Sequence, residues 1–166
     1  MKNKLVIVLF LLVSTITFAQ KKEFSRDALN EKFIALNGGE VSLKQILKEH
    51  KGKTIFIDIW ASWCKDCLAN MPAVELLKTD YKNVDYISLS LDKSVEAWKK
   101  GIEKYNVTGE HYFIQKGWKE SAFCTDVSLD WIPRYMVVGP DGKIKLFKAI
   151  LASDDKLINE LKQTTK

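Results

Sequence analysis

The sequence predicts an α/β fold: a three-layer sandwich with a mixed central sheet flanked by helices. Two patterns carry that expectation. Between Thr54 and Tyr105, strand-like and helix-like segments alternate in the order β-α-β-α, which pairs strands in parallel through right-handed crossovers and puts helices on both faces. From Arg134 to Phe147, two strand-like runs flank Gly139-Pro140-Asp141-Gly142, a strong turn sequence that makes an antiparallel hairpin. Parallel strands joined to such a hairpin give a mixed sheet.

The first residues read as an address. Lys2 and Lys4 form a charged start, Leu5 to Val13 is an unbroken apolar run, and Thr17-Phe18-Ala19 offers small residues where a signal peptidase reads. Residues 1–19 are therefore expected to be a signal peptide and 20–166 the mature domain, exported to the bacterial periplasm. The uncharged stretch is about fifteen residues, short of the roughly twenty that a spanning helix needs.

The predicted domain begins with a short amphipathic helix from Ser42 to Glu49, capped by Ser42 and carrying Leu43, Ile46 and Leu47 on one face. Gly52 breaks it. Thr54 to Trp60 is rich in β-branched and aromatic residues and apolar on both faces, the pattern of a central strand in a covered sheet. Leu68 to Asp80 reads as a helix with Ala73, Leu76 and Leu77 inward and Pro72 within it, where a proline removes a hydrogen bond and should kink the axis. Val84 to Leu91 alternates as a second strand, and Ser94 to Tyr105 returns to helix. His111 to Ile114 is expected to be a short strand and Trp118 to Cys124 a short helix. Arg134–Val138 and Lys143–Phe147 form the hairpin, and Ser153 to Lys162 closes the chain as a capped helix with Leu157, Ile158 and Leu161 inward.

Composition narrows the function. The 166 residues carry a net charge of +5, which falls to +3 once Lys2 and Lys4 leave, and the remaining basic residues are interleaved with acidic ones, as in Lys48-Glu49 and Lys119-Glu120. A nucleic-acid surface would cluster its cations, so no nucleic-acid partner is expected. Three cysteines are too few and too oddly numbered for a disulfide scaffold, which leaves one working pair and one spare. Cys124 reads as the spare, a buried small hydrophobe.

The working pair is Cys64-Lys65-Asp66-Cys67, placed where the central strand hands over to the next helix. The first-turn N–H groups of a helix lack intrahelical partners and the peptide dipoles place partial positive charge there, so a thiolate at Cys64 is stabilised and becomes the nucleophile. Spacing i, i+3 lets Cys67 close a small ring with it from a less exposed position. Between them, Lys65 favours the thiolate and Asp66 opposes it, so the two tune the couple without a readable net sign. A structural zinc site would need two more ligands, and Cys124, His50 and His111 offer no second C-x-x-C and no H-x3-5-H. Asp58, six residues before Cys64 on a strand buried on both sides, should have its charged form disfavoured, placing its pKa in the range of a useful proton acceptor.

Taken together these residues resemble the thioredoxin-fold proteins, specifically the exported thiol-disulfide oxidoreductases of the TlpA and ResA type. Trp60-Ala61-Ser62-Trp63-Cys64-x-x-Cys67 is close to that family's W-A-x-W-C-x-x-C, Pro72 sits where its helix-kinking proline falls, Asp58 matches its buried carboxylate, and Ile132-Pro133 resembles its cis-proline loop. The match runs from about Phe33 to the C-terminus. Lys65-Asp66 departs from the Gly-Pro or x-Pro common in the family.

The resemblance implies a thioredoxin-like sandwich in which Cys64 attacks a substrate disulfide, Cys67 resolves the mixed disulfide with Asp58 taking its proton, and the backbone before Pro133 pairs with an extended substrate. Trp60, Trp63 and Trp131 are candidates for an apolar rim around that substrate and equally for core or scaffold aromatics. It further implies protein disulfide or dithiol substrates, apocytochrome c thiols among them, and a membrane thiol-electron transporter as reductant, with no cofactor and no metal. Three other chemistries stay open. The same pair could run as a dithiol oxidase; a peroxidase would want a threonine where Ala61 stands; a copper-delivery module would carry C-x3-C and a distal histidine, for which His111 is the nearer candidate.

Overall fold

In the computed structural model, which describes residues 21–163, seven strands form one sheet with helices on both faces. In chain order the elements are α1 (Arg26–Asn30), β1 (Lys32–Ala35), β2 (Glu40–Ser42), α2 (Leu43–Glu49), β3 (Thr54–Trp60), α3 (Lys65–Asp80), β4 (Val84–Ser90), α4 (Val95–Tyr105), β5 (Glu110–Ile114), α5 (Gly117–Glu120), α6 (Ala122–Asp126), β6 (Arg134–Val138), β7 (Ile144–Ala149) and α7 (Asp155–Lys162). The expected signal segment, residues 1–19, lies outside the described residues.

The strand order is β2-β1-β5-β4-β3-β6-β7. β3 pairs with β4, and β4 with β5, in parallel; β6 lies antiparallel to β3, and β7 to β6. This is the expected mixed sheet. Every residue of β3 is buried because the strand has a neighbour on each edge and helices over each face.

Alternation along β3 divides the core. Ile55, Ile57 and Ile59 point to the face covered by Leu43 and Ile46 of α2, Trp98 of α4 and Phe123 of α6. Phe56 points to the other face, against Val74 and Leu77 of α3 and Leu157 and Leu161 of α7. Local signals fix the helix starts: Ser42 and Gln45 form a reciprocal capping box on α2, and Ser94 accepts the N–H of Ala97 on α4.

Three expectations are corrected. The inner stripe of α3 is Cys67, Val74 and Leu77, while Leu76 is 65% exposed; adjacent residues stand about 100° apart on a helix, and the heptad Cys67–Val74 selects Leu77 over its neighbour. Trp118 to Cys124 is not one helix, since Ser121 breaks it, leaving α5 and capping α6 through the N–H of Cys124. Asp154, not Ser153, caps α7. The sequence did not predict α1, β1 and β2, elements of three to five residues, of which β1 adds antiparallel to β5 and β2 forms the edge of the sheet.

Candidate active site

Cys64 is the N-cap of α3, and its sulfur accepts the N–H of Cys67 at 3.0 Å. The two cysteines are joined in a disulfide with their Cα atoms 5.2 Å apart. A sulfur in that position faces the unpaired N–H groups and positive dipole end of a 16-residue helix, an environment that favours a thiolate once the bond is opened. On its other side, Cys64 Sγ lies 3.5 Å from the carbonyl oxygen of Ile132, which precedes Pro133 in a cis peptide bond. Residues 68 positions apart in sequence therefore meet at one sulfur, as the resemblance implied.

Asp58 lies in mid-β3, paired with Ser88 of β4 and Tyr135 of β6. It is 8% exposed and shares the face of Phe56, the face that α3 covers. Its Oδ1 is buried without a hydrogen-bond partner. Burial pushes its pKa up to about 7, with the positive charge of Lys78 on α3 pulling the other way. Lys78 is itself held by Glu75 at 2.7 Å and by the carbonyl of Thr108 at 2.9 Å. A carboxyl with that pKa can take a proton and give it back near neutrality.

Cys64 opens onto a cleft of about 190 Å³ lined also by Trp63, Lys65, Asp66, Trp118, Trp131 and Ile132. Trp63 and Trp131 are 52% and 55% exposed, as a rim requires, and both Lys65 and Asp66 are exposed beside them. Trp60 does not join them: it is fully buried in the core, because position 60 ends a strand covered on both faces. His111, the candidate for a copper site, is committed elsewhere, with Nε2 donating to the carbonyl of Val107 at 3.0 Å. Cys124 is buried and unpaired, and burial pushes its thiol up to about 11.

Sequence reading did not foresee Trp118 or Arg134. The Trp118 indole donates to the carbonyl of Leu129 at 2.8 Å, tying α5 to the loop that carries Trp131 and Ile132. Arg134 is fully buried; one Nη donates to the carbonyl of Val127 at 3.0 Å and the other to Asp130, which also binds Lys148. These bonds stiffen residues 127–134, the segment that presents Ile132 to Cys64. The signal for Arg134 was available: a charged residue opening an otherwise apolar strand, four residues after an aspartate.

Comparison with known proteins agrees with this geometry. A family model described as thioredoxin-like matches residues 52–144. The chain is 29% identical to the thiol-disulfide oxidoreductase ResA of Bacillus cereus over 157 residues, 86% of each chain, and 31% identical to ResA of Bacillus thuringiensis over 120 residues, 64% of this chain and 67% of that one. The crystal structure of the thioredoxin domain of a thiol-disulfide oxidoreductase from Bacteroides vulgatus matches with a TM-score of 0.68 at 25% identity, over 86% of this chain and 98% of that one. With the pair at a helix start, the cis-proline loop opposite and these relatives, the chain belongs to the thioredoxin-like family, among the ResA-like thiol-disulfide oxidoreductases.

Proposed function

We propose that this protein is an exported reductant of protein disulfides. The observation that carries the reading is the position of Cys64 Sγ, set between the N-terminus of α3 and the Ile132 carbonyl at the mouth of a tryptophan-lined cleft. In the reduced protein, the Cys64 thiolate attacks a substrate disulfide. One substrate sulfur leaves as a thiolate and the other becomes bonded to Cys64. Cys67 then gives its proton to Asp58, and its thiolate attacks Cys64, releasing the second substrate sulfur and closing the Cys64–Cys67 disulfide. Two electrons have moved to the substrate.

Each group near the pair has a part. Asp58 is the proton acceptor, its pKa of about 7 supporting transfer in either direction near neutral pH. Ile132 and Pro133 present backbone to an extended substrate, Trp63 with Trp118 and Trp131 offers apolar contact around it, and Lys65 and Asp66 adjust the couple. The substrates are exported proteins with disulfides or thiols, apocytochrome c among them, and a membrane thiol-electron transporter returns the electrons. Residues 1–19 act as the signal for that location, with cleavage after Ala19.

Cys64→Ala is expected to abolish reduction in an insulin turbidity assay, and retained activity would overturn the assignment. Equilibration with glutathione fixes the direction: a reductant holds a potential well below the glutathione couple, with roughly 30 mV for each 1.4 kcal/mol, and a potential above it would make the pair an oxidase.

A further inference from the structure

The parallel ladder of β3 and β4 ends in an unusual way. Trp60 is opposite Ser90, and the N–H of Leu91 donates to the Trp60 carbonyl at 2.8 Å. Beyond that rung the two chains part, and a side chain takes over the pairing. The buried carboxyl of Asp92 accepts the Ser62 N–H at 3.1 Å on one oxygen and 3.2 Å on the other. It also accepts the Ser62 hydroxyl at 2.6 Å and the Ser90 hydroxyl at 2.8 Å, while Ser90 Oγ accepts the N–H of Asp92 at 3.0 Å.

Ser62 also lies against α4 at Gly101. Gly101 approaches so closely that a Cβ there would sit 2.5 Å from Ser62 Cβ, far inside ordinary contact, and would touch the Trp60 ring at 3.6 Å. Ser62 is thus held between a carboxyl that fixes its backbone and a helix that leaves it no slack. The turn that follows is closed by the N–H of Cys64 donating to the Ala61 carbonyl at 3.0 Å. Ala61 and Cys64 therefore move with Ser62, and the Trp63 indole projects from between them.

We propose that Asp92, Ser62 and Gly101 form a clamp that sets the position of Cys64 against the Ile132 carbonyl, with Asp92 as its positioning residue. The inference rests on the oxidoreductase reading for its consequence but not for its geometry. Asp92 contributes nothing to the chemistry itself. A carboxylate suits the place because it only accepts, and the Ser62 N–H and the two hydroxyls all donate; an amide would turn an N–H against one of them. Small misplacements of a nucleophile are costly to rate, and a clamp beside the nucleophile limits them.

The test uses the full-length reduced protein and follows three quantities: insulin reduction, the pH profile of iodoacetamide alkylation mapped to Cys64, and the melting temperature. Asp92→Ala and Gly101→Ala should each slow insulin reduction by about tenfold and move the alkylation midpoint upward by about half a pH unit, because Cys64 loosens from its helix cap. Ser62→Gly removes the atom that Gly101→Ala would strike, so Gly101→Ala should have no further effect in that background. The proposal is overturned if folded variants melt earlier yet keep wild-type rates and alkylation profiles, or if Gly101→Ala is equally harmful with and without Ser62 Cβ. Should Asp92→Ala fail to fold, the Ser62 and Gly101 pair still decides. If the wild type reduces no disulfide, the oxidoreductase reading falls, and the alkylation profiles judge the clamp alone.

Discussion

Asp58 and Asp85 lie on neighbouring parallel strands, β3 and β4, and meet opposite electrostatic fates. Asp85, near the start of β4, is bonded to His50 Nδ1 at 2.6 Å and to Lys53 Nζ at 3.1 Å. Burial pushes its pKa up, but the hydrogen bonds and charges of His50 and Lys53 outweigh that and hold it below the usual carboxylate range. Asp58, farther along β3, has one oxygen with no partner, and burial carries it up to about 7. Asp85 is satisfied by two side chains, whereas Asp58 keeps an unpaired oxygen inside the sheet. A buried group kept short of partners is costly to stability, and a raised carboxyl pKa is the form that cost takes at Asp58.

The contrast is sharpest in stability against pH. Asp58 binds a proton more tightly folded than unfolded, so its contribution is fully present below about pH 4 and is lost as pH rises to about 7. Asp58→Asn should remove that loss: the variant should match the wild type near pH 4 and exceed it near pH 8 by on the order of 4 kcal/mol in urea titrations. It should also slow disulfide reduction. A variant no more stable than the wild type near pH 8, or a wild type indifferent to pH over this range, would break the comparison. Asp85 has the opposite sign, since its stabilisation is present above about pH 4 and lost as pH falls below it. Asp85→Ala should cost about 1–3 kcal/mol at pH 7, because His50 remains buried with one bond fewer. The smallest effect belongs to Leu76, exposed on α3, where Leu76→Gln should change stability by no more than about 0.5 kcal/mol.

Legibility in the sequence followed how local the cause was. Ser42 with Gln45, the buried run of β3, and the Gly139–Gly142 turn each act within a few residues, and each element formed where its pattern lay. Cys64 and Cys67 were legible because their spacing and their place at a helix start are both local. Leu76 was misjudged because two adjacent leucines compete for one face, and which one turns inward depends on the sheet beneath. Trp60 could be rim or core by sequence for the same reason: its indole is apolar in either setting, and only the covering of β3 decides that it is core. Trp118 carries no pattern at all and becomes part of the cleft through a bond to Leu129, eleven residues away.

By itself, then, the sequence determined the alternation of strands and helices, the mixed sheet, the reactive pair and the family to which it belongs, since periodicity, caps, turns and a C-x-x-C are all short-range properties. Tertiary structure decided the rest. It brought the Ile132 carbonyl to Cys64 across 68 residues, left one oxygen of Asp58 without a partner, and bonded Asp92 to Ser62. Desolvation, orphaned hydrogen bonds and close approach are properties of what surrounds a residue, and the surroundings exist only once the chain has closed on itself.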